Sequence, residues 1–228
     1  MRIDILTLFP EMFAGPLDCS IIGKAREKGC VNINIHNLRD FSSDERHRKV
    51  DDRPYGGGPG MVIKPEPIYK AIASIDSHSE GCIILMSPQG ERFNQEKARK
   101  LIKRKHLILI CGRYEGIDER VRENLVDEEI SVGDYVVSGG ELPAMIVVDA
   151  ITRLLPGVVG REESVKKDSF SEGMLDYPTY TRPAIYRGME IPSVLLSGNH
   201  LRIEKWRREE ALRRTILRRP DIIKKDRK

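Results

Sequence analysis

The sequence predicts an α/β protein: a mostly parallel sheet with helices, followed by a small, mainly helical C-terminal domain. Three observations carry this prediction. Apolar strand-like runs alternate with helix-like segments from residue 3 to about residue 155, the pattern of parallel strands joined by helical crossovers. Three of the runs end in loops of one kind, SPQG, GRYEG and VSGG. After Leu155 the alternation stops, and a charged, glycine-bearing segment leads into a basic helical stretch.

The elements follow in order. Ile3 to Leu8 and Val31 to His36 read as strands, with a helix from Ser20 to Glu27 between them. Pro67 to Ser74 reads as a helix with proline near its start, where the missing N–H costs nothing. Gly81 to Met86 is a strand running into Ser87-Pro88-Gln89-Gly90. Asn94 to Lys103 is a polar helix with Asn94 as N-cap. His106 to Cys111 is a strand ending at Gly112-Arg113-Tyr114-Glu115-Gly116, and Glu119 to Asn124 is a short helix. Glu129 to Val137 holds one or two short strands. Ala144 to Leu155 is apolar without internal glycine or proline, which favours a buried helix. Residues 161–176 read as a flexible linker. Tyr177 to Pro192 is rich in proline and tyrosine and reads as irregular. A last helix runs from an Asn199 N-cap to Arg219, with Pro220 as its stop.

The composition narrows the function. The chain has 228 residues, 39% hydrophobic and 32% charged, and no apolar run approaches the ~20 residues of a membrane span. The N-terminus lacks the pattern of a signal peptide. Cys19, Cys30, Cys82 and Cys111 form no C-x-x-C pair, and the five histidines have no metal-ligand spacing. A cytoplasmic protein with reduced thiols is expected. Asn199 to Lys228 carries 12 Lys+Arg and 5 Asp+Glu, a net of +7 that leaves −3 on the rest of a chain whose total is +4. A basic end on an acidic body points to a polyanion partner; the alternative is a solvated charged helix. Trp206 in this helix could stack on a base, although packing into a core is the commoner fate of tryptophan.

The stretch from Ile130 to Pro143, ISVGDYVVSGGELP, stands out. Tight glycine turns beside a buried strand let the backbone approach a ligand closely. Yet neither G-x-G-x-x-G nor G-x-x-x-x-G-K-[ST] is present. Ligands of open α/β sheets bind at the carboxyl ends of strands, so the three glycine loops point to one pocket. A further glycine run, Pro54 to Met61, follows the charged segment Asp44 to Arg53, a loop suited to phosphate contact but also common on surfaces.

These segments taken together, SPQG, CGRYEG, SVGDYVVSGGELPAM, DSF and LDYPTYTRP, with an early PYGGGPGM and a late W-R-x-x-x-A-L-x-R-T, resemble the bacterial tRNA (guanine-37-N1)-methyltransferase family. That family belongs to the knotted (SPOUT-type) RNA methyltransferase superfamily. The resemblance spans nearly the whole chain. It implies a deep trefoil knot in a cofactor-binding domain of residues 1–160, the linker of residues 161–176, and a tRNA-binding domain of residues 177–228. It implies S-adenosylmethionine as cofactor, the anticodon loop of tRNA as partner, and a homodimer with active sites at the subunit interface. The implied cofactor contacts are Met86, Ser87 and Pro88; Gly112, Tyr114 and Glu115; and Val132, Gly133, Asp134, Tyr135, Val136, Val137, Gly139, Gly140 and Pro143. Magnesium is implied as an accessory ion, with Glu115, Asp168 and Asp176 as carboxylates able to bind one.

Methylating N1 of guanine requires its proton to leave, so a general base must reach N1. Charge grows on O6, where a cation is wanted. By resemblance, Asp168 in DSF is the base and Arg153 the stabiliser. Without the resemblance, Asp168 reads as the N-cap of a linker turn and Arg153 as a helix-end arginine favoured by the dipole. A base carried on a linker that orders when RNA docks would assemble the site on the correct substrate. The sequence departs from a frequent family pattern at Tyr177 and Thr179, where many members carry cysteine and histidine, so those two positions receive no catalytic role. Two other readings differ in what they explain. A knotted methyltransferase acting on another RNA nucleotide would keep the cofactor loops but lack DSF and YTRP. A non-catalytic RNA-binding protein would use only the basic tail and leave the three loops unexplained.

Overall fold

The computed structural model describes residues 1–76, 80–160 and 168–225. They fall into two units that divide between Gly160 and Arg161. In the first, the elements are β1 (Arg2–Thr7), α1 (Ser20–Glu27), β2 (Asn32–Asn37), β3 (Asp51–Asp52), β4 (Val62–Ile63), α2 (Pro65–Ile75), β5 (Cys82–Arg92), α3 (Gln95–Leu101), β6 (His106–Cys111), α4 (Glu119–Leu125), β7 (Glu128–Ser131) and α5 (Glu141–Thr152). Five strands form one sheet in the order β2-β1-β6-β5-β7, and every neighbouring pair is parallel. The short strands β3 and β4 pair antiparallel beside it.

Strand β6 lies at the centre, and all of its residues are buried. Leu107, Leu109 and Cys111 face one side, packing with residues of α1, α3 and α5 such as Ile22, Ala98, Val147 and Ile151. Ile108 and Ile110 face the other, with Ile68, Ala71 and Ile72 of α2 and Val121 of α4. A sheet covered on both faces explains why its strands read as continuous apolar runs rather than alternating ones. Each of the four aliphatic side chains in β6 contributes about 1.5–3 kcal/mol by burial.

The expected elements are present, with boundaries moved for identifiable reasons. Asn94 caps α3 by accepting from Lys97 N–H at 2.9 Å. Helix α5 starts at Glu141 rather than Ala144, because Pro143 falls in the first turn, where its missing N–H has no intrahelical partner to lose. Only one strand occupies the stretch expected to hold one or two. β7 ends with the Ser131–Arg92 pair, the last residue of its ladder partner β5, and residues 132–140 are a loop.

In the second unit, β8 (Ile185–Tyr186) and β9 (Met189–Glu190) form a two-strand hairpin within the stretch expected to be irregular. Helices α6 (His200–Arg218) and α7 (Pro220–Lys225) follow. Asn199 caps α6, accepting from Arg202 N–H at 3.1 Å. Pro220 does end that helix, but it also opens α7 at the first position, for which its fixed φ is suited. Trp206 is half-buried, while the buried residues of α6 are Ala211 and Thr215. The linker expectation for residues 161–167 lies outside the described residues; residues 168–174 form turns and bends.

Within β1, Asp4 is fully buried. Its carboxylate meets Arg2 Nε at 2.6 Å, His36 Nε2 and His106 Nε2 at 2.7 Å each, and Asn34 Nδ2 at 3.1 Å. Burial alone would raise its pKa, but the hydrogen bonds from His36, Arg2, His106 and Asn34 together hold it well below the ordinary 3.8. A depressed carboxylate stabilises the fold above its unfolded pKa, and that contribution disappears as pH falls through the folded value. Asp4→Ala is expected to lower unfolding free energy by about 3–5 kcal/mol at neutral pH, the cost of breaking a buried pair. Urea titrations at pH 7 and pH 3 check this: the penalty shrinks at the lower pH, and an equal penalty at both would remove the electrostatic account.

Candidate active site

A bulge within β5 and the carboxyl ends of β6 and β7 supply three loops that line one cleft of about 220 Å³. The first loop is residues 87–90, which bulge out of β5: Met86 and Glu91 both pair with Ile130, so the four residues between them leave the ladder. The second follows β6, and the third joins β7 to α5. The cleft therefore sits where ligands of open α/β sheets bind.

A buried hydrogen-bonded network holds these loops together. Glu141, the first residue of α5, is fully buried. One of its carboxylate oxygens accepts from Thr7 Oγ1 at 2.8 Å, at the end of β1. The other accepts from Arg113 Nε at 2.9 Å, in the second loop. Arg113 also donates to the Ser138 carbonyl at 3.2 Å, in the third loop, and lies 4.4 Å from the centre of the Phe9 ring. Three segments distant in sequence are thereby tied to one carboxylate. Removing one member of such a buried pair costs about 3–5 kcal/mol. The acid also suits the first turn of a helix, where the dipole is positive.

Above this network two backbones touch. Gly140 N–H donates to the Gly112 carbonyl at 2.9 Å, and Arg113 and Gly139 form an antiparallel bridge. A Cβ at Gly140 would stand 2.6 Å from Cys111 Cα and 3.0 Å from Gly112 N. Only glycine allows this approach. Tyr114 adopts φ +60, a left-handed conformation uncommon for a residue with a side chain. It is held between the Gly116 N–H to Arg113 carbonyl bond at 3.0 Å and the Glu115 N–H to Met61 carbonyl bond at 3.0 Å. The second of these ties the early glycine run to the cleft wall.

All of the cofactor contacts expected from the sequence line this cleft except Asp134. Asp134 is exposed, and its carboxylate pairs with Arg92. Gln89, Arg113 and Arg122 also line the cleft and were missed. For Gln89 and Arg113 the signal was their own place in SPQG and GRYEG; Arg122, on α4, carried none. Arg113 is committed to Glu141, and Arg122 to Gln89 Oε1 at 2.8 Å and Glu129 Oε1 at 3.4 Å. Arginines held by partners in this way are not displayed for a phosphate, and much of the wall is backbone and valine. Such a cleft suits a nucleoside-like ligand without phosphate. Cys111, beneath it, is a packing residue: burial, reinforced by Glu141, pushes its thiol well above the ordinary 9.0, so it is no nucleophile.

The two expected catalytic residues stand elsewhere. Arg153 caps the far end of α5, 13 residues from Gly140, or about 20 Å along the helix at 1.5 Å per residue. Asp168 is in the second unit, where it lines a cleft of about 250 Å³ with Glu172, Asp176, Tyr177, Glu204, Arg207 and Arg208. Among the described residues no three His, Cys, Asp or Glu side chains converge to hold a metal ion, so no step is assigned to magnesium. No helix among them is long and apolar enough to cross a membrane.

The family model for tRNA (guanine-1)-methyltransferase TrmD matches residues 1–225. A tRNA (guanine-N(1)-)-methyltransferase of Dictyoglomus turgidum is 57% identical over 225 residues, covering 99% of this chain and 91% of the relative. The protein of the same name from Geobacillus kaustophilus is 58% identical over 224 residues, covering 98% and 91%. That from Bacillus subtilis is 57% identical over 226 residues, covering 98% and 93%. With agreement running from the first strand to the last helix at more than half of all positions, the chain belongs to the tRNA (guanine-1)-methyltransferase family.

Proposed function

We propose that this chain methylates N1 of the guanosine immediately 3′ of the anticodon, position 37, in a subset of tRNAs, using S-adenosylmethionine. The observation that carries this reading is the cleft closed by the Gly112–Gly140 backbone contact, whose lining arginines are already held by partners. S-adenosylmethionine when bound supplies an electrophilic methyl group and carries no phosphate, which accounts for the missing phosphate fingerprint. The close glycine backbones and Val132, Val136 and Val137 would hold its adenosine, and Glu115 would face its cationic part.

In the proposed chemistry, Asp168 takes the proton from N1 while Arg153 stabilises the charge that grows on O6. The two residues lie on different units of the chain, and Arg153 is a helix length from the cleft of its own subunit. A homodimer resolves this by lending Arg153 to a partner. Leu142 and Ile146, both about half exposed, share the outward face of α5 with Arg153, and an apolar stripe of this kind supports a second copy docking there. The same reading takes the chain through a trefoil knot at the cleft, supported by the pairing of residues 112–113 with residues 139–140. The basic second unit, with its arginine-rich α6, would meet the phosphates of the anticodon arm, with residues 177–228 as the tRNA-binding domain.

The direct test is transfer of a labelled methyl group to tRNA transcripts that differ at the target guanosine and at its 5′ neighbour. Transfer only to the transcript with guanosine at the target supports the reading; indifference to that base sinks it. Asp168→Asn is expected to lower turnover by about 10²–10⁴-fold, the usual worth of a general base, while calorimetry finds cofactor affinity nearly unchanged. Gly140→Ala should act in the opposite way. Overpacking of this kind costs about 1–3 kcal/mol, so cofactor affinity falls by roughly tenfold or more while the circular-dichroism melt still shows a folded protein.

A further inference from the structure

Along α6 and its cap, Arg207, Ala211, Thr215 and Arg219 recur every four residues and so share one helical face. Each of the three polar members grips the segment that carries Asp168. The Arg207 guanidinium lies 4.9 Å from the centre of the Tyr177 ring. Thr215 Oγ1 accepts from Leu175 N–H at 2.9 Å and donates to the Ala211 carbonyl at 2.7 Å. Arg219 lies 5.8 Å from the Phe170 ring.

The segment itself is cross-tied. Ser171 N–H donates to the Asp168 carbonyl at 3.0 Å, Phe170 N–H to the Met174 carbonyl at 2.7 Å, and Asp176 N–H to Ser169 Oγ at 3.0 Å. Phe170 sits at φ +71, a conformation that persists only where the surroundings impose it. The backbone of Asp168 is therefore set by a turn, and the turn is set by the α6 face.

We propose that Arg207 is a positioning residue for Asp168, acting through its face-on contact with the Tyr177 ring. A planar guanidinium stacks on an aromatic face in a way an ammonium does not. Arg207 lines the same cleft as Asp168 and Asp176. Its Nη1 lies 3.6 Å from Glu204 Oε2, which aims the guanidinium without removing it from the ring.

The inference rests on the proposed methyl transfer and is tested with it. Arg207→Lys keeps the charge but loses the plane, and Tyr177→Ala removes the ring. Each is expected to lower kcat at saturating tRNA by about tenfold or more, because small misplacements of a reacting group are costly. Cofactor affinity by calorimetry stays at the parent value, since that cleft belongs to the first unit. The double variant is no slower than the slower single one, as expected for two members of one contact. Tyr177→Phe, which restores the ring, restores kcat. Unchanged kcat, or additive losses, overturns the proposal. So does an effect confined to the KM for tRNA with a shallower salt dependence, which would make Arg207 a phosphate ligand. Should Arg207→Lys melt below the assay temperature, the Tyr177→Ala and Tyr177→Phe pair decides the matter alone. A parent chain that transfers no methyl group sinks the functional reading itself; an active parent with indifferent variants sinks only this inference.

Discussion

One buried carboxylate organises the first unit. Glu141 accepts from Thr7 with one oxygen and from Arg113 with the other, and Arg113 reaches on to Ser138 and Phe9. A charge taken out of water must be matched at once, and a match through Arg113 fixes where the second and third loops stand. The glycine approach at residues 112 and 140 follows from this, because the backbones are drawn together by side chains beneath them. The cleft is the space left over the contact.

A second buried carboxylate ties the strands themselves: Asp4 of β1 is surrounded by Arg2, Asn34, His36 and His106. Every donor there is a side chain of a sheet strand or its first residue, so the cluster locks β1 to both of its neighbours. At the carboxyl ends of β1, β6 and β7, the side chains of Thr7, Arg113 and Glu141 and the backbone contact of Gly112 with Gly140 hold the loops. In the second unit a single face of α6 holds the segment with Asp168, while its other faces carry exposed arginines beside exposed Leu201, Leu212, Ile216 and Leu217.

The alternation of strands and helices was legible because a sheet covered on both faces demands apolar runs of strand length. The cleft loops were legible for a different reason: glycine is required wherever backbones touch, and the resemblance supplied their grouping. That the carboxylate of Asp134, within the third loop, pairs with Arg92 was not legible in its spacing. Arg113 and Glu141 went unnoticed, since nothing in a charged residue's letter shows whether its partner lies 28 positions away or in water.

The sequence by itself determined the α/β class, the helix caps at Asn94 and Asn199, the polarity of the C-terminal end, and the family. These depend on local patterns: periodicity, capping side chains, composition and ordered motifs. Only the tertiary structure decided that Thr7, Arg113 and Glu141 form one network, and that the contacts expected of three separate loops line one cleft. It alone showed that an arginine on α6 lies over the ring of Tyr177. Those facts depend on long-range approach, where burial and pairing choose among partners that are equivalent along the chain.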